Sequence, residues 1–393
     1  MSASSNLPEP VHGIPLFPKT AMAGSLGMLA FILAKGTEVP EEFLFACALA
    51  IFGALCVGKL QLNIGLPTEP RLYTILLGKS YEPRKSTAQR KVIEFFLPFL
   101  SNIQVLHGIG SAEGLAKIFG EHHHILVCYD EFRTFFDKAR VQSSVLLPMA
   151  ASLFESMNWD NPTKQSTISV HDAHLSLLGC STEETYECMW TLEAVAIGFP
   201  NRLFLVWADR KPKVAWPQPP DPAKLIAIRE RIATQLARLP LTLDIEPDAK
   251  ELWEYWYTNL PPSEHAKRLD TIGFRLMALL ALTTDKKSVD FDTVMLVMDI
   301  LDYELAIRRA MDPIGVDNTI AEFQEKIRRV LSRTGKPVTR SMLAKLTNAR
   351  RYGTEIFKKA LEGLVREGEV LTDKVRYWLP QGAEKESPSE SDA

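Results

Sequence analysis

The chain has 393 residues, of which 46% are hydrophobic and 24% charged, and its formal net charge at pH 7 is −3. These values exclude a protein that is disordered over most of its length, and the length favours two or three domains over a single core. The five cysteines form no C-x-x-C pair, a pattern typical of buried free thiols in a reducing compartment. Because the N-terminus does not resemble a signal peptide, we expect a cytoplasmic protein.

The first long apolar stretch, residues 43–58, requires comparison with a membrane span. It has 16 residues, two acids precede it and Lys59 follows it. A membrane-spanning helix needs roughly 20 apolar residues. The stretch therefore predicts a buried core helix, and we expect no membrane partner.

The N-terminal half of the chain divides into three predicted segments. Residues 1–20 contain four prolines and predict an arm, and residues 21–62 predict two packed helices broken between Gly36 and Pro40. Over residues 63–211, short apolar runs alternate with helical patterns, including one long helix after the run HILVCYDE. This alternation predicts an α/β core with a mainly parallel sheet covered on both faces.

The C-terminal half predicts four further segments. Residues 212–222 contain five prolines, which exclude a helix interior or a central strand, and predict a linker. Residues 223–315 show the 3.6-residue period of helices. Residues 316–380 read as three helices and a short hairpin, which predicts a winged-helix-type domain. The polar residues 381–393 predict a disordered tail.

A phosphate-binding loop is indicated after the first strand of the α/β core. The apolar run 72–77 ends at Gly78, and a helix follows the loop GKSYEPRKST. Backbone N–H groups and the positive end of a helix favour an anion at such a place, and a lysine adds charge. The usual motif, G-x-x-x-x-G-K-[ST], has a second glycine that is missing here. A basic turn that caps a surface helix is the alternative interpretation.

Within this loop, Lys85 is the predicted cation for the β- and γ-phosphates. A shift of one residue would put Arg84 in that role instead. The hydroxyl of Ser86 or Thr87 is the predicted ligand of Mg²⁺.

The run HILVCYDE provides the second half of a nucleotide site. It is an apolar strand that ends in Asp130 and Glu131. In this arrangement the aspartate holds Mg²⁺, usually through water, and the glutamate polarises the attacking water. A strand that ends in two acids is also common without any such function. The spacing of about 45 residues from the loop nevertheless fits one nucleotide-binding core, so we predict ATP and Mg²⁺ as cofactors.

Two further strands end near polar residues that could contact phosphate. Ser181 or Thr182, after the run HLSLLG, could contact the γ-phosphate, although Thr182 is equally suited to cap a helix. Arg202 and Arg210 flank the run LFLVW and are candidates for an arginine that a neighbouring subunit supplies to the γ-phosphate. A surface arginine at each strand end is the alternative.

The C-terminal segment is the basic part of the chain. Residues 326–376 contain fourteen Lys or Arg against five Asp or Glu, which suggests an anionic partner. In a winged-helix-type domain, basic residues on the second and third helices contact DNA. A packing or protein-docking module with a solvated basic face is the alternative. The predicted DNA-binding residues are Arg340, Lys345, Arg350, Arg351, Lys358 and Lys359.

Taken in order, these motifs resemble the ATPase module of primase–helicase proteins carried by phages, plasmids and integrated elements. This is a RecA-like P-loop family related in fold to RepA and DnaB-type replicative helicases. The resemblance covers residues 40–315 and rests on six stretches. These are ILLGKSYEPRKST, GSAEGL, ILVCYDEF, HLSLLGCSTEE, GFPNRLFLVWADR and RLDTIGFRLMALLAL.

The resemblance implies a DNA-dependent, helicase-like ATPase that forms a homo-oligomeric ring, such as a hexamer, with single-stranded DNA as its track. ATP would then be hydrolysed at subunit interfaces, in replication or maintenance of a mobile element. The chain has Ser86 where the family more often has glycine, and no primase or zinc domain, so priming would need a separate partner. The alternative function is a DNA-binding initiator or adaptor whose degenerate nucleotide site serves only assembly.

Overall fold

A computed structural model of the chain describes residues 13–66, 68–79, 84–141, 143–162, 167–190, 192–311, 319–349, 354–366 and 368–380. These residues form two compact units. Unit 1 contains the described residues from 15 to 311, and unit 2 contains those from 319 to 380 together with 13 and 14.

Unit 1 combines helices with short strands, and its strands lie between residues 60 and 243. Its helices are α1 (Gly24–Ala34), α2 (Glu41–Cys56), α3 (Lys85–Phe96), α4 (Ala112–Phe119), α5 (Arg133–Ala139), α6 (Leu146–Ser152), α7 (Glu183–Cys188), α8 (Leu192–Ala196), α9 (Pro222–Leu236), α10 (Pro247–Thr258), α11 (Leu269–Thr283) and α12 (Phe291–Ala310). Its strands are β1 (Leu60–Leu62), β2 (Tyr73–Leu77), β3 (Gln104–Leu106), β4 (His124–Tyr129), β5 (Trp159–Pro162), β6 (Thr167–Val170), β7 (His174–Ser181), β8 (Leu203–Trp207) and β9 (Leu241–Leu243).

Five of these strands form one parallel sheet in the order β3-β4-β7-β2-β8. Every residue of β2, β7 and β8 is buried, as expected for strands covered on both faces. The α/β class with a parallel sheet is therefore confirmed. Since the strands are parallel, the ends of β2, β7 and β4 lie at the same edge of the sheet, here called the carboxyl edge.

The two N-terminal helices are confirmed as well, and they belong to the core of unit 1. α2 is buried along nearly its whole length and packs against β2, β7, β8 and α3. At Gly53, α2 packs closely against the backbone of Pro70, and an added Cβ would be 2.2 Å from the carbonyl oxygen of Pro70. None of the helices in the described part of the chain has the length and hydrophobicity that crossing a bilayer requires.

The outer edge of β8 is covered by side chains of α12. The backbone N–H of Leu205 donates to the Glu304 carboxylate (3.0 Å), and that of Trp207 donates to the Tyr303 hydroxyl (2.8 Å). The Arg308 guanidinium donates to the carbonyl of Leu203 (3.1 Å). These bonds satisfy backbone groups that an edge strand otherwise leaves unpaired.

Two predictions about secondary structure are wrong. The long helix expected after β4 is instead two short helices, α5 and α6, followed by the antiparallel pair β5–β6. The segment 223–315, expected to be all-helical, contains β9, which pairs in parallel with β1. Both differences arise because strands of three or four residues are too short to show a clear period.

Unit 2 is built from helices and a small antiparallel sheet. Its described elements are α13 (Thr319–Thr334), β10 (Val338–Thr339), α14 (Arg340–Leu346), α15 (Thr354–Arg366), β11 (Leu371–Thr372) and β12 (Arg376–Trp378). The expected hairpin is the pair β11–β12, and β10 extends it to the order β10-β12-β11. Helices α13 and α15 pack around a core that includes Phe323, Ile327 and Leu364.

Candidate functional site

The carboxyl edge of the sheet holds most of the residues that the sequence singled out. β2 leads through Gly78 towards α3, β4 leads into Asp130 and Glu131, and β7 ends at Ser181. β7 lies between the other two strands, so the loop residues and the two acids are separated by a single strand. All three strands run in the same direction, and the residues that follow them therefore lie at the same edge of the sheet.

Lys85 is the first residue of α3 and points back to the end of β2. Its ammonium donates to the carbonyl oxygens of Gly78 (3.0 Å) and Lys79 (3.2 Å). Farther along α3, the buried side chain of Gln89 donates to the carbonyl of Leu178 in β7 (2.9 Å), which fixes the helix against the central strand. Residues 80–83 of the loop lie outside the described residues.

The electrostatic environment of Lys85 includes the acids at the neighbouring strand ends. Partial burial lowers the pKa of the Lys85 ammonium, and the negative charges of Glu131 and Glu183 oppose this shift. Conversely, loss of hydration raises the pKa of the Glu131 carboxyl, and the positive charge of Lys85 is the largest effect that lowers it. The lysine and the glutamate thus each shift the pKa of the other in favour of its charged form.

A pocket of about 520 Å³ brings together Ser86, Thr87 and Asp130, three of the predicted ligands. The sequence interpretation missed other residues that line it, among them Arg90, Glu94 and His107. His107 directly follows β3, a strand that was not predicted, so its place at the carboxyl edge was not visible. Arg90 and Glu94 lie on α3 one and two turns beyond the loop, and helical spacing could have shown them.

Hydroxyl and carboxylate oxygens are the ligands that Mg²⁺ prefers, and Mg²⁺ usually keeps several waters. Ser86, Thr87 and Asp130 therefore fit this ion when a phosphate supplies further oxygens. Within the described ranges, no three His, Cys, Asp or Glu side chains are grouped so that they could bind a metal ion by themselves. A magnesium site here would depend on the bound phosphate.

Arg84, the alternative to Lys85, points away from the carboxyl edge. Its guanidinium donates to one oxygen of Glu38 through Nη2 (2.7 Å) and Nε (3.0 Å). The carboxylate of Glu38 also accepts a hydrogen bond from the backbone N–H of Val214 (3.0 Å). This arrangement favours Lys85 over Arg84 as the cation that faces the two acids.

The end of β7 contains two polar residues with different surroundings. Ser181 is buried, and its hydroxyl donates to the carbonyl of Thr182 (3.2 Å). Thr182 caps α7, since its side chain accepts a hydrogen bond from the backbone N–H of Thr185 (3.1 Å). The helix-cap interpretation of Thr182 is thus confirmed. Glu183 follows it, and its carboxylate accepts a hydrogen bond from the indole of Trp207 (2.8 Å).

The two arginines that flank β8 lie at opposite edges of the sheet. Arg202 precedes the strand, and its guanidinium donates to the carbonyls of Ile197 (2.8 Å) and Gly198 (2.9 Å). With 7% of its surface exposed, Arg202 is not placed to reach into another subunit. Arg210 follows the strand, is exposed, and lies on the same side of the sheet as Lys85. Of the two, the geometry favours Arg210 for contact with a neighbour.

The predicted DNA-binding residues belong to unit 2. Arg340 and Lys345 are exposed on α14, and Lys358 and Lys359 are exposed on α15. Arg350 and Arg351 lie outside the described residues. On α15 the opposite face, which includes Phe357 and Leu361, is buried in the core of the unit. The four described basic side chains therefore face solvent.

Comparison with known proteins adds no family to this geometry. No protein-family model matches the sequence, and no curated protein matches it.

Proposed function

We propose that the chain is an ATP hydrolase with a RecA-like P-loop core. The observation that carries the proposal is the placement of Lys85, at the first turn of α3 after β2, and of Glu131, after β4, at one edge of a parallel sheet with a single strand between them. Ser86, Thr87 and Asp130 line one pocket beside them. A lysine at a helix N-terminus with an acid pair at the same sheet edge is the combination that phosphoryl transfer requires.

In this proposal each residue acts on a different part of the nucleotide. The Lys85 ammonium and the N–H groups at the start of α3 bind the β- and γ-phosphates. Ser86, Thr87 and Asp130 would hold Mg²⁺, which neutralises charge on the phosphates when bound. The raised pKa of Glu131 suits a carboxylate that accepts a proton from the attacking water. Arg210 of a neighbouring copy would stabilise the transferring phosphate.

The second part of the proposal is that DNA activates hydrolysis. The exposed lysines and arginines of α14 and α15 support a DNA contact, and a helix–hairpin arrangement of this kind is compatible with a winged-helix-type domain. We propose a helicase-like enzyme that assembles as a homo-oligomeric ring and acts in replication or maintenance of a mobile element.

A second candidate is a DNA-binding initiator or adaptor whose nucleotide site serves only assembly. The missing second glycine of the loop favours it, because glycine allows the backbone to approach phosphate closely. The two candidates share nucleotide binding and differ in turnover.

Phosphate release from ATP, measured with and without a single-stranded oligonucleotide, separates the candidates. The enzyme hypothesis requires release that the Lys85→Ala variant lacks, and DNA should increase it. Mass determination in solution, with and without ATP and the oligonucleotide, shows in parallel whether a ring forms. Binding and assembly without any release would favour the adaptor, and wild-type turnover in the Lys85 variant would contradict the assigned site.

A further inference from the structure

A second cavity adjoins the proposed phosphate site on the other side of α3. It has a volume of about 560 Å³, and it shares Thr87 and Arg90 with the pocket that contains Asp130. Thr87 and Arg90 are three residues apart on one helix and therefore neighbours on its surface. Because Thr87 and Arg90 line both cavities, the two cavities are neighbours across the first turns of α3, and together they are here called the groove.

The far wall of this second cavity comes from two segments that are bonded to each other. One is the turn between α1 and α2, which contributes Thr37, Glu38 and Val39, and the other is the proline-rich segment, which contributes Pro217, Gln218 and Pro219. The backbone N–H of Gln218 donates to the carbonyl of Gly36 (3.1 Å). Gly36 has φ +69°, and an added Cβ there would lie 3.1 Å from the Cβ of Gln218. The two segments thus meet at close range.

Glu38 connects this wall to the phosphate side of the groove. Its carboxylate accepts hydrogen bonds both from the backbone of Val214 in the proline-rich segment and from Arg84 at the start of α3. Residues 212–222, expected only to link two parts of the chain, therefore also line a cavity. Residues 212–221 have neither helix nor strand, and proline rings and an amide side chain of this stretch lie beside the cavity.

We propose that this cavity binds the base and ribose of the nucleotide whose phosphates bind at Lys85. The inference rests on the proposed nucleotide site and adds the part of the ligand that it recognises. Its chemistry changes along the groove in the same order as a nucleotide does. Asp130 and the α3 N-terminus lie at one end, the cations Arg90 and Lys91 follow, and the proline rings with the Gln218 amide lie at the other end.

Each group has a defined task in this arrangement. The rings of Pro217 and Pro219 offer an apolar surface to a flat base. The Gln218 amide nitrogen donates to the carbonyl of Trp216 (3.1 Å), and its second N–H and its oxygen can serve the polar edge of that base. Arg90, common to both cavities, lies where the α-phosphate and the ribose would meet. The volume lies within the range of small-molecule sites, which is about 300–1,000 Å³.

The test compares ATP with inorganic tripolyphosphate, which carries the same phosphates and no nucleoside. Affinities are measured by calorimetry with Mg²⁺ for the wild-type chain and for Gln218→Ala. This substitution removes the amide and keeps the backbone bond to Gly36. Gln61→Ala, which removes an exposed glutamine of β1 that lines neither cavity, is the matched control.

We expect Gln218→Ala to weaken ATP binding about three- to tenfold and to leave tripolyphosphate binding unchanged. Hydrogen exchange provides an independent readout, since ATP should slow exchange in residues 36–39 and 214–219 and tripolyphosphate should not. Equal affinities of the wild type for both ligands, or an unchanged preference for ATP in Gln218→Ala together with unaltered exchange, would overturn the nucleoside site and leave the phosphate site intact. Failure of both ligands to bind would overturn the phosphate site as well.

Discussion

The Lys85 ammonium donates to the carbonyl oxygen of Gly78 (3.0 Å), and this bond joins the first residue of α3 to the residue that follows β2. Lys85 is therefore already fixed and partly desolvated before any phosphate arrives. A phosphate oxygen would replace these carbonyls as the acceptor, so binding exchanges a neutral partner for a charged one. Hydrogen bonds between charged groups are the stronger kind, which gives the exchange its driving force.

Substitution of the two basic residues of the loop should have unequal effects. Lys85→Ala removes the cation that faces the two acids, and we expect nucleotide affinity to fall at least about a hundredfold. Arg84→Ala breaks an exposed ion pair with Glu38 and should cost less than about tenfold, since exposed pairs contribute about 0–1 kcal/mol. Titration with a fluorescent ATP analogue measures both. The opposite order of effects would assign the phosphate to Arg84.

Glu131→Gln should separate binding from turnover. The amide keeps the size of the side chain and cannot accept a proton from water, so hydrolysis should fall by at least about a hundredfold. Removal of the negative charge next to the phosphates should leave affinity equal to or higher than that of the wild type. Phosphate release and nucleotide titration on the same preparation test this. Glu230→Gln, the same change at an exposed acid on α9, serves as the control.

Nucleotide affinity should fall with rising pH earlier than for an ordinary lysine site. Burial lowers the pKa of Lys85 from 10.5, so its ammonium loses the proton at a lower pH. Above that pKa, affinity should decline by up to about tenfold per pH unit, because binding then requires uptake of a proton. Titrations at rising pH, from about pH 7 towards the ordinary lysine value of 10.5, show where the decline begins. Lys85→Arg, with a guanidinium that stays charged, should show a flatter profile.

The positions of these strands along the chain, and of the acids that follow one of them, could be predicted from the sequence because apolar runs are a local pattern. β2, β4, β7 and β8 are long apolar runs, and each candidate residue follows directly after one of them. The position of Arg202 follows from the direction of β8. It precedes β8, and in a parallel sheet the residue before a strand lies at the edge opposite to the carboxyl edge.

The groove beyond Thr87 could not be predicted in this way. It depends on the bond between Gln218 and Gly36, which are far apart in the chain and belong to segments without periodic patterns. Proline content predicted that residues 212–222 form neither helix nor central strand, and this holds except for Pro222, which is the first residue of α9. Composition does not show which surface such a segment contacts, because that is decided by packing of the whole unit.

Glu304 should make the stability of unit 1 depend on pH. Burial raises the pKa of this carboxyl from 4.5 to about 8, and Arg308 opposes the shift. Between these values the folded state binds more protons than the unfolded state, so the free energy of unfolding should fall as pH rises. Glu304→Gln lacks this dependence. Urea unfolding at about pH 5.5 and 8 should show a wild-type loss at least about 1 kcal/mol larger than that of the variant.

A control for this measurement is Tyr303→Phe. It removes the acceptor of the Trp207 N–H bond and should cost about 1–3 kcal/mol at both pH values, because the lost group does not titrate in this range. If wild type and Glu304→Gln lose equal stability between the two pH values, the carboxyl does not titrate there.

Removal of two lysines from α15 should weaken DNA binding. We expect Lys358→Ala/Lys359→Ala to lower affinity for a single-stranded oligonucleotide uniformly across sequences, and to reduce the slope of log K against log salt by about 1.5. Fluorescence anisotropy at several salt concentrations measures both quantities. Lys117→Ala, on α4 of unit 1, is the control. An unchanged slope would favour a packing role for this basic face.

The side chains of α12 that cover β8 also limit how copies of this chain can associate. Leu205 and Trp207 already use their outward N–H groups on Glu304 and Tyr303. An incoming strand would find these donors occupied and would have to displace a helix that is buried against the sheet. A ring of the proposed kind is then held by side-chain surfaces, and not by a β-sheet continued through β8 from one subunit into the next.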